Sequence, residues 1–252
     1  MGYDYRALFA ALLAKELKAK YKNTLLGYLW SVLMPLFQSV IFFVVFSIYL
    51  RFDIPDYFLF LSIGFVVWQF FANSLTGAAN CLIGNADLIK KTMAPRRIFV
   101  ATAVGAELVH LLVSLPVLLA LTLICRRSLP VNALYVLPAA VVSVALTAYG
   151  LGLMVAVCNA CFRDLERIVQ LLLQAWFYCT PIFYRSTQLP EAKRFLLEFN
   201  PMFYLVTLFR HCFYAPGACW RFVLIALLCG GFFRLLGGMV FRKYVKDLAE
   251  VL

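Results

Sequence analysis

The sequence predicts an all-α integral membrane protein: six transmembrane helices, an N-terminal amphipathic interface helix, and a re-entrant external helical hairpin between spans five and six. Three observations lead there. First, 64% of the 252 residues are hydrophobic and only 14% are charged, with a mean hydropathy of +0.89. A water-soluble domain has about 45–50% apolar and about 25% charged residues, so this chain could not clothe a soluble surface. Second, residues 23–50, 57–86, 128–162 and 168–184 carry no charge at all. Residues 98–125 hold one acid and one histidine, and 222–241 hold one arginine. A helix crosses the hydrocarbon with about 20 such residues. These runs are far longer than the alternating segments of about 10 residues that build membrane barrels. Third, the basic residues are not spread evenly.

That unevenness sets the orientation. Lys and Arg gather in the N-terminal segment (Arg6, Lys15, Lys18, Lys20, Lys22) and the second loop (Lys90, Lys91, Arg96, Arg97). They recur in the fourth loop (Arg163, Arg167) and the tail (Arg242, Lys243, Lys246). The opposite side is sparser, and most of its basic residues fall in or beside one long loop. Short basic loops stay in the cytoplasm, so both termini are expected inside. The formal net charge of +11 is therefore read as a topology signal and not as a nucleic-acid footprint. The first 22 residues are charged throughout and lack a cleavable apolar core. The first span is expected to act as the insertion signal.

Along the chain, residues 3–22 set Leu8, Phe9, Leu12 and Leu13 against Lys15, Lys18 and Lys22 at helical spacing, the pattern of a helix lying in the interface. The spans are read over 30–50, 58–78, 98–124, 137–160, 169–183 and 222–241. The first cytoplasmic loop, 80–97, is too long for a bare connector. Asn85 or Asp87 can cap a short helix there, and Pro95 ends it, which predicts a helix over 87–93. Span four repeats Ala148, Gly152, Ala156 and Ala160 every four residues, a spacing that lets helix backbones meet, within the chain or against a second copy. The external segment 184–220 is too long for a turn, too apolar for a solvated loop, and interrupted by Arg210 and His211. A hairpin dipping into the outer leaflet fits, since such backbone is tolerated only against protein or a water-filled cavity. No internal repeat is seen, so 1–252 is read as one membrane domain.

Chemistry-bearing motifs are few. There is no GxxxxGK[ST] phosphate loop, no HExxH and no GxSxG. Gly230-Gly231 and Gly237-Gly238 sit in an apolar span and serve packing. Cys158 and Cys161 form a lone CxxC, short of a metal site, and no metal or cofactor is expected on this chain. Cys212 and Cys219 fall in the external loop, close enough in sequence to pair. Glu107, His110 and Arg234 are ionisable groups inside spans, where charge is costly and function is the default question. A Glu107–Arg234 pair is one arrangement, with neutralisation favoured over a proton relay. Two spans carry polar faces: Ser31, Gln38, Phe42, Phe46 and Tyr49 on span one, and Gln170, Gln174, Tyr178 and Pro181 on span five. Amides interleaved with rings suit a hydroxyl-rich substrate. The same faces equally suit interhelical hydrogen bonding and packing.

The run NTLLGYLWSVLMPLFQ, residues 23–38, follows the basic KELKAKYK. It resembles the start of membrane subunits of type-2 ABC exporters for O-antigen, capsular polysaccharide and teichoic acid. NADLIKKTMAPRRI, CFRDLERIVQ, FYCTPIFY and FNPMFYLVTLFR match the same family in order and spacing over nearly the whole chain. The resemblance implies a homodimer of six-span subunits in the bacterial inner membrane, each bound to a separate ATPase subunit that holds ATP and Mg. It places ATPase coupling on Asp87, Leu88, Ile89, Lys90 and Lys91, with a second contact at Arg163, Asp164 and Glu166. It implies that the external hairpin is a gate. It implies a sugar channel lined by Gln38, Phe42, Phe46, Tyr49, Gln174, Phe177 and Tyr178. The rival readings are a permease for a drug or small amphiphile, a membrane-embedded glycosyltransferase, and a proton-coupled carrier using Glu107. The only flanked acidic pair, Asp164 and Glu166, sits between Arg163 and Arg167 and looks like a docking element, not a catalytic one.

Overall fold

A computed structural model of the chain describes residues 5–21, 27–91, 94–126, 133–162, 164–214 and 220–245. The described residues are helical, without strands. In chain order they form α1 (Tyr5–Tyr21), α2 (Trp30–Phe43), α3 (Tyr57–Cys81), α4 (Ala86–Lys91) and α5 (Arg97–Arg126). There follow α6 (Ala133–Cys161), α7 (Leu165–Cys179), α8 (Glu191–Glu198), α9 (Pro201–Phe213) and α10 (Trp220–Tyr244). A 3₁₀ turn, Gly27–Leu29, opens α2, and a π-helical turn, Val44–Tyr49, closes it.

Five segments are long and apolar enough to cross a membrane: Gly27–Tyr49, Tyr57–Cys81, Arg97–Cys125, Tyr135–Cys161 and Trp220–Tyr244. The element expected as span five is shorter. α7 has 15 residues, about 22 Å at 1.5 Å per residue, against about 30 Å of hydrocarbon. It starts four residues earlier than expected and stops at Cys179. Thr180 turns extended (φ −99°, ψ 135°) because the following Pro181 disfavours helix at the preceding residue.

α3 is the axis of the fold. Its first half is apolar nearly all round, which marks a buried helix, and its residues from Leu59 to Phe71 are almost all buried. Around it stand α2, α5, α6, α7 and α9. The small-residue stripe of α6 faces inward: Ala148, Ala156 and Ala160 are buried, and a Cβ on Gly152 would lie 3.0 Å from that of Ala78 on α3. That spacing serves packing inside the chain. A neighbouring glycine serves α10. A Cβ on Gly150 would land on the backbone of Phe233 and Arg234, and one on Gly237 would land on the Gly150 carbonyl. The α6 and α10 backbones are therefore in direct contact there.

α1 lies along α5. Leu12 is buried, Leu8 packs beside it, and Phe9 and Leu13 reach the surface of Gly105. Two lysines fasten the helix: Lys15 Nζ donates to Asn85 Oδ1 at 2.7 Å, and Lys20 Nζ lies 2.7 Å from Glu107 Oε1. Glu107 therefore takes Lys20 as its partner, not Arg234. The Arg234 guanidinium instead lies 5.0 Å above the Tyr149 ring, because α10 packs chiefly on α6.

The segment after α7, expected to be external, folds as a 3₁₀ turn (Ser186–Gln188), α8 and α9. α9 is largely buried between α3, α6 and α10. Asn200 caps it by accepting from Met202 N at 3.0 Å, with Pro201 at the first helical position, where its missing N–H costs nothing. On α8 and just after it, Phe195, Leu196 and Phe199 are exposed.

Candidate functional site: an aromatic groove and its supports

α2, α3 and α7 enclose a groove of about 280 Å³ lined by Gln38, Phe42, Phe65, Trp68, Leu173, Gln174, Phe177 and Tyr178. Five of the seven expected channel residues meet in it: Gln38, Phe42, Gln174, Phe177 and Tyr178. Phe46 extends it outward, stacked on Phe42 at 5.6 Å and tilted against Phe183 at 5.1 Å. Tyr49 stands apart at the end of the π turn, 76% exposed.

The groove floor comes from α3. Phe65 meets Phe42 edge-on at 5.0 Å, and Trp68 meets Phe177 edge-on at 5.6 Å. Sequence reading missed both residues, since neither carries an amide or a hydroxyl to mark a polar face. The available signal was their spacing, three apart on a helix with a ring on each. The groove rim carries the amides of Gln38 and Gln174 and the Tyr178 hydroxyl. Rings offer flat apolar faces, and amides offer one acceptor and two donors each. That combination can hold a ring-shaped, hydroxyl-rich molecule by stacking and edge hydrogen bonds.

α7 meets the body along a narrow strip, Val169, Leu173 and Phe177, all buried. Side-chain amides hold both of its ends. At its first turn, Asn159 of α6 donates to Ala79 O at 2.9 Å and accepts from Glu166 N at 2.9 Å. At its last turn, Asn200 accepts from Trp176 Nε1 at 2.8 Å and donates to Cys179 O at 3.2 Å and Thr180 Oγ1 at 3.0 Å.

The non-helical stretch after α7 is satisfied by side chains. Arg210 is buried and donates to Pro181 O at 2.6 Å and Ile182 O at 2.7 Å. Tyr57 donates to Phe183 O at 2.7 Å. The guanidinium lies 3.5 Å above the Phe60 ring, a cation–π contact in a dry site. Gly64 makes room for it: a Cβ there would come within 3.2 Å of both Arg210 Nη2 and the Ile182 carbonyl. Arg210 entered the sequence reading as an interruption. Here it is the residue that makes irregular backbone possible where water is scarce.

At the other end, Asp87, Lys90 and Lys91 of α4 are exposed, Leu88 is partly buried, and Ile89 is buried at 8%. Ile89 thus anchors the short helix while the charged residues face out. Of the second loop, Asp164 is exposed and Glu166 partly buried; Arg163 lies outside the described residues. So does Cys219, the expected partner of Cys212. Cys212 is buried in α9 with Sγ 3.4 Å from Leu208 O. Among the described residues no three His, Cys, Asp or Glu side chains gather as metal ligands.

Residues 7–214 match the ABC-2 type transporter family. This chain belongs to that family. Two O-antigen export system permease proteins RfbA of Klebsiella pneumoniae are each 32% identical to it, over 100% of this chain and 98% of theirs. The O-antigen export system permease protein RfbA of Myxococcus xanthus is 31% identical over 84% of this chain and 82% of its own. The polysialic acid transport protein KpsM of Escherichia coli is 22% identical over 79% of this chain and 78% of its own. The groove and the exposed α4 charges are built on different elements, the one on α2, α3 and α7 and the other on α4.

Proposed function

We propose that this chain is the permease subunit of an ATP-driven exporter that moves a lipid-linked polysaccharide, of O-antigen or capsule type, across the bacterial inner membrane. The similarity to O-antigen export permeases along the whole chain carries the reading. The groove supports it, since amides and rings on one surface suit sugars better than a uniformly apolar cargo. Neither finding favours the drug-permease or glycosyltransferase readings.

In this reading the chain is one permease domain, and two copies form the pore. α7 completes the set of six crossing elements, its short length made up by α8 and α9 dipping back into the outer leaflet. Both termini lie in the cytoplasm, and α1 rests at that interface. Two ATPase subunits hold ATP and Mg and dock on α4 and on the turn at Asp164. Their closure draws the cytoplasmic ends of the dimer together and opens a path along α2 and α7, with the external hairpin as its gate. Glu107 neutralises Lys20 and relays no proton.

Deleting the gene tests the whole reading. Lipid-linked polymer is expected to build up inside the cell, and normal surface polymer would overturn it. The charge-reversed pair Lys90→Glu and Lys91→Glu tests the motor contact. Both side chains are exposed, so the permease should fold and insert while ATPase co-purification and export are lost. Retention of both would remove α4 from the coupling role. Gln174→Leu tests the groove. It should leave assembly intact and lower export about tenfold, the worth of one or two lost hydrogen bonds. Unchanged export would place the cargo elsewhere.

A further inference from the structure

A second cavity, of about 300 Å³, lies between α1, α2, α3 and α5. Its polar lining includes Lys20, Glu107, His110, Gln69 and Asn73. Two features set it apart from a packing defect. It holds a Lys20–Glu107 ion pair at 2.7 Å, and charges at membrane depth are costly enough to ask for a use. It is also lined by Gln69, whose Oε1 is buried without a hydrogen-bond partner among the described residues. An unpaired buried acceptor is costly, so a donor belongs there.

The cavity also reaches the outer surface of α2. Trp30 and Met34 line it and are 39% and 50% exposed. Phe37 and Ile41 continue the same face of α2, also exposed. A polar pocket that opens onto an apolar stripe matches an amphiphile, head inward and chains along the helix.

We propose that this cavity binds a membrane phospholipid through its headgroup, and that the headgroup is phosphoethanolamine. Charge balance selects it. A bare anion would take Lys20 and strand the Glu107 carboxylate, whose side chain is only 12% exposed, and a largely buried charge left without its counter-ion is costly. A zwitterion replaces both members at once: its phosphate receives Lys20, and its ammonium donates to Glu107. The ammonium also supplies the donor that Gln69 Oε1 lacks. A primary ammonium carries N–H groups and a quaternary one carries none, so phosphocholine cannot do this. The acyl chains lie along Met34, Phe37 and Ile41. The site is separate from the cargo groove and stands whether or not the cargo is a polysaccharide. Its effect is structural: the lipid ties α1 and α5 to α2.

Native mass spectrometry of the purified full-length chain tests this. After delipidation, the protein is titrated with phosphatidylethanolamine, phosphatidylcholine or phosphatidylglycerol. One phosphatidylethanolamine per chain should be held about tenfold more tightly than either other lipid, the worth of one charge-assisted hydrogen bond. Gln69→Leu should erase that preference without lowering the melting temperature. Met34→Trp changes an exposed residue at the mouth and so should fold. It should also abolish the preferred binding. Equal retention of the three lipids, a preference for phosphatidylglycerol, or an undiminished preference in Met34→Trp would overturn the proposal.

Discussion

Gly150→Ala is expected to leave almost no folded permease in the membrane. The added methyl falls on the backbone of Phe233 and Arg234, and main chain cannot swing aside as a side-chain tip can. α6 and α10 must separate along their length, and the cost should reach about 3 kcal/mol or more. Gly237→Ala meets the Gly150 carbonyl from the other side and should fail in the same way. Gly231→Ala is the control, because a Cβ there meets nothing within 4 Å. It should be neutral or slightly stabilising, since alanine favours helix over glycine by up to about 1 kcal/mol. Membrane-fraction yield and melting temperature of the three purified variants check this. Normal yield of Gly150→Ala would mean that the two helices do not meet there.

Arg210→Leu should insert normally and yet fail to export. Leucine keeps the apolar stem but abandons the Pro181 and Ile182 carbonyls, each then unpaired at about 1–3 kcal/mol. The stretch from Thr180 to Phe183 loses its shape, and with it the position of Phe183 against Phe42 and Phe46. Arg210→Lys should rescue little, because one ammonium cannot reproduce the planar fork that reaches both carbonyls. Surface polymer and the melting temperature of the purified chain are the readouts. Full export by the leucine variant would show that the turn holds itself.

Much of the fold was legible because lipid imposes simple rules. Long apolar runs with at most one charge marked the five long helices to within a few residues. The stripe on α6 read correctly as packing, and four-residue spacing carried that information. What the sequence did not reveal depends on which helix stands beside which. Glu107 and Arg234 lie at similar depths, so periodicity allowed their pairing. α1 lies along α5 and delivers Lys20 instead. Phe65 and Trp68 complete the groove but sit in a stretch of α3 that is buried on nearly every side, where no face stands out. The end of α7 was misread by four residues because uncharged sequence continues past it, and only the Thr-Pro step breaks the helix. Arg210 looked like a defect in a hydrophobic helix. Its role depends on carbonyls nearly thirty residues away.

The paired asparagines around α7 carry one more consequence. Asn159 binds the start of α7 to the end of α3, and Asn200 binds its far end to α9. The helix is short and gripped at both tips, while Leu171 and Leu172 on its outer side are exposed. Held so, it is built to act as a push-rod. A displacement imposed at Glu166 would reach Cys179 with little lost to slack on the way. Trimming either amide, by contrast, would loosen a joint and leave the rod itself intact.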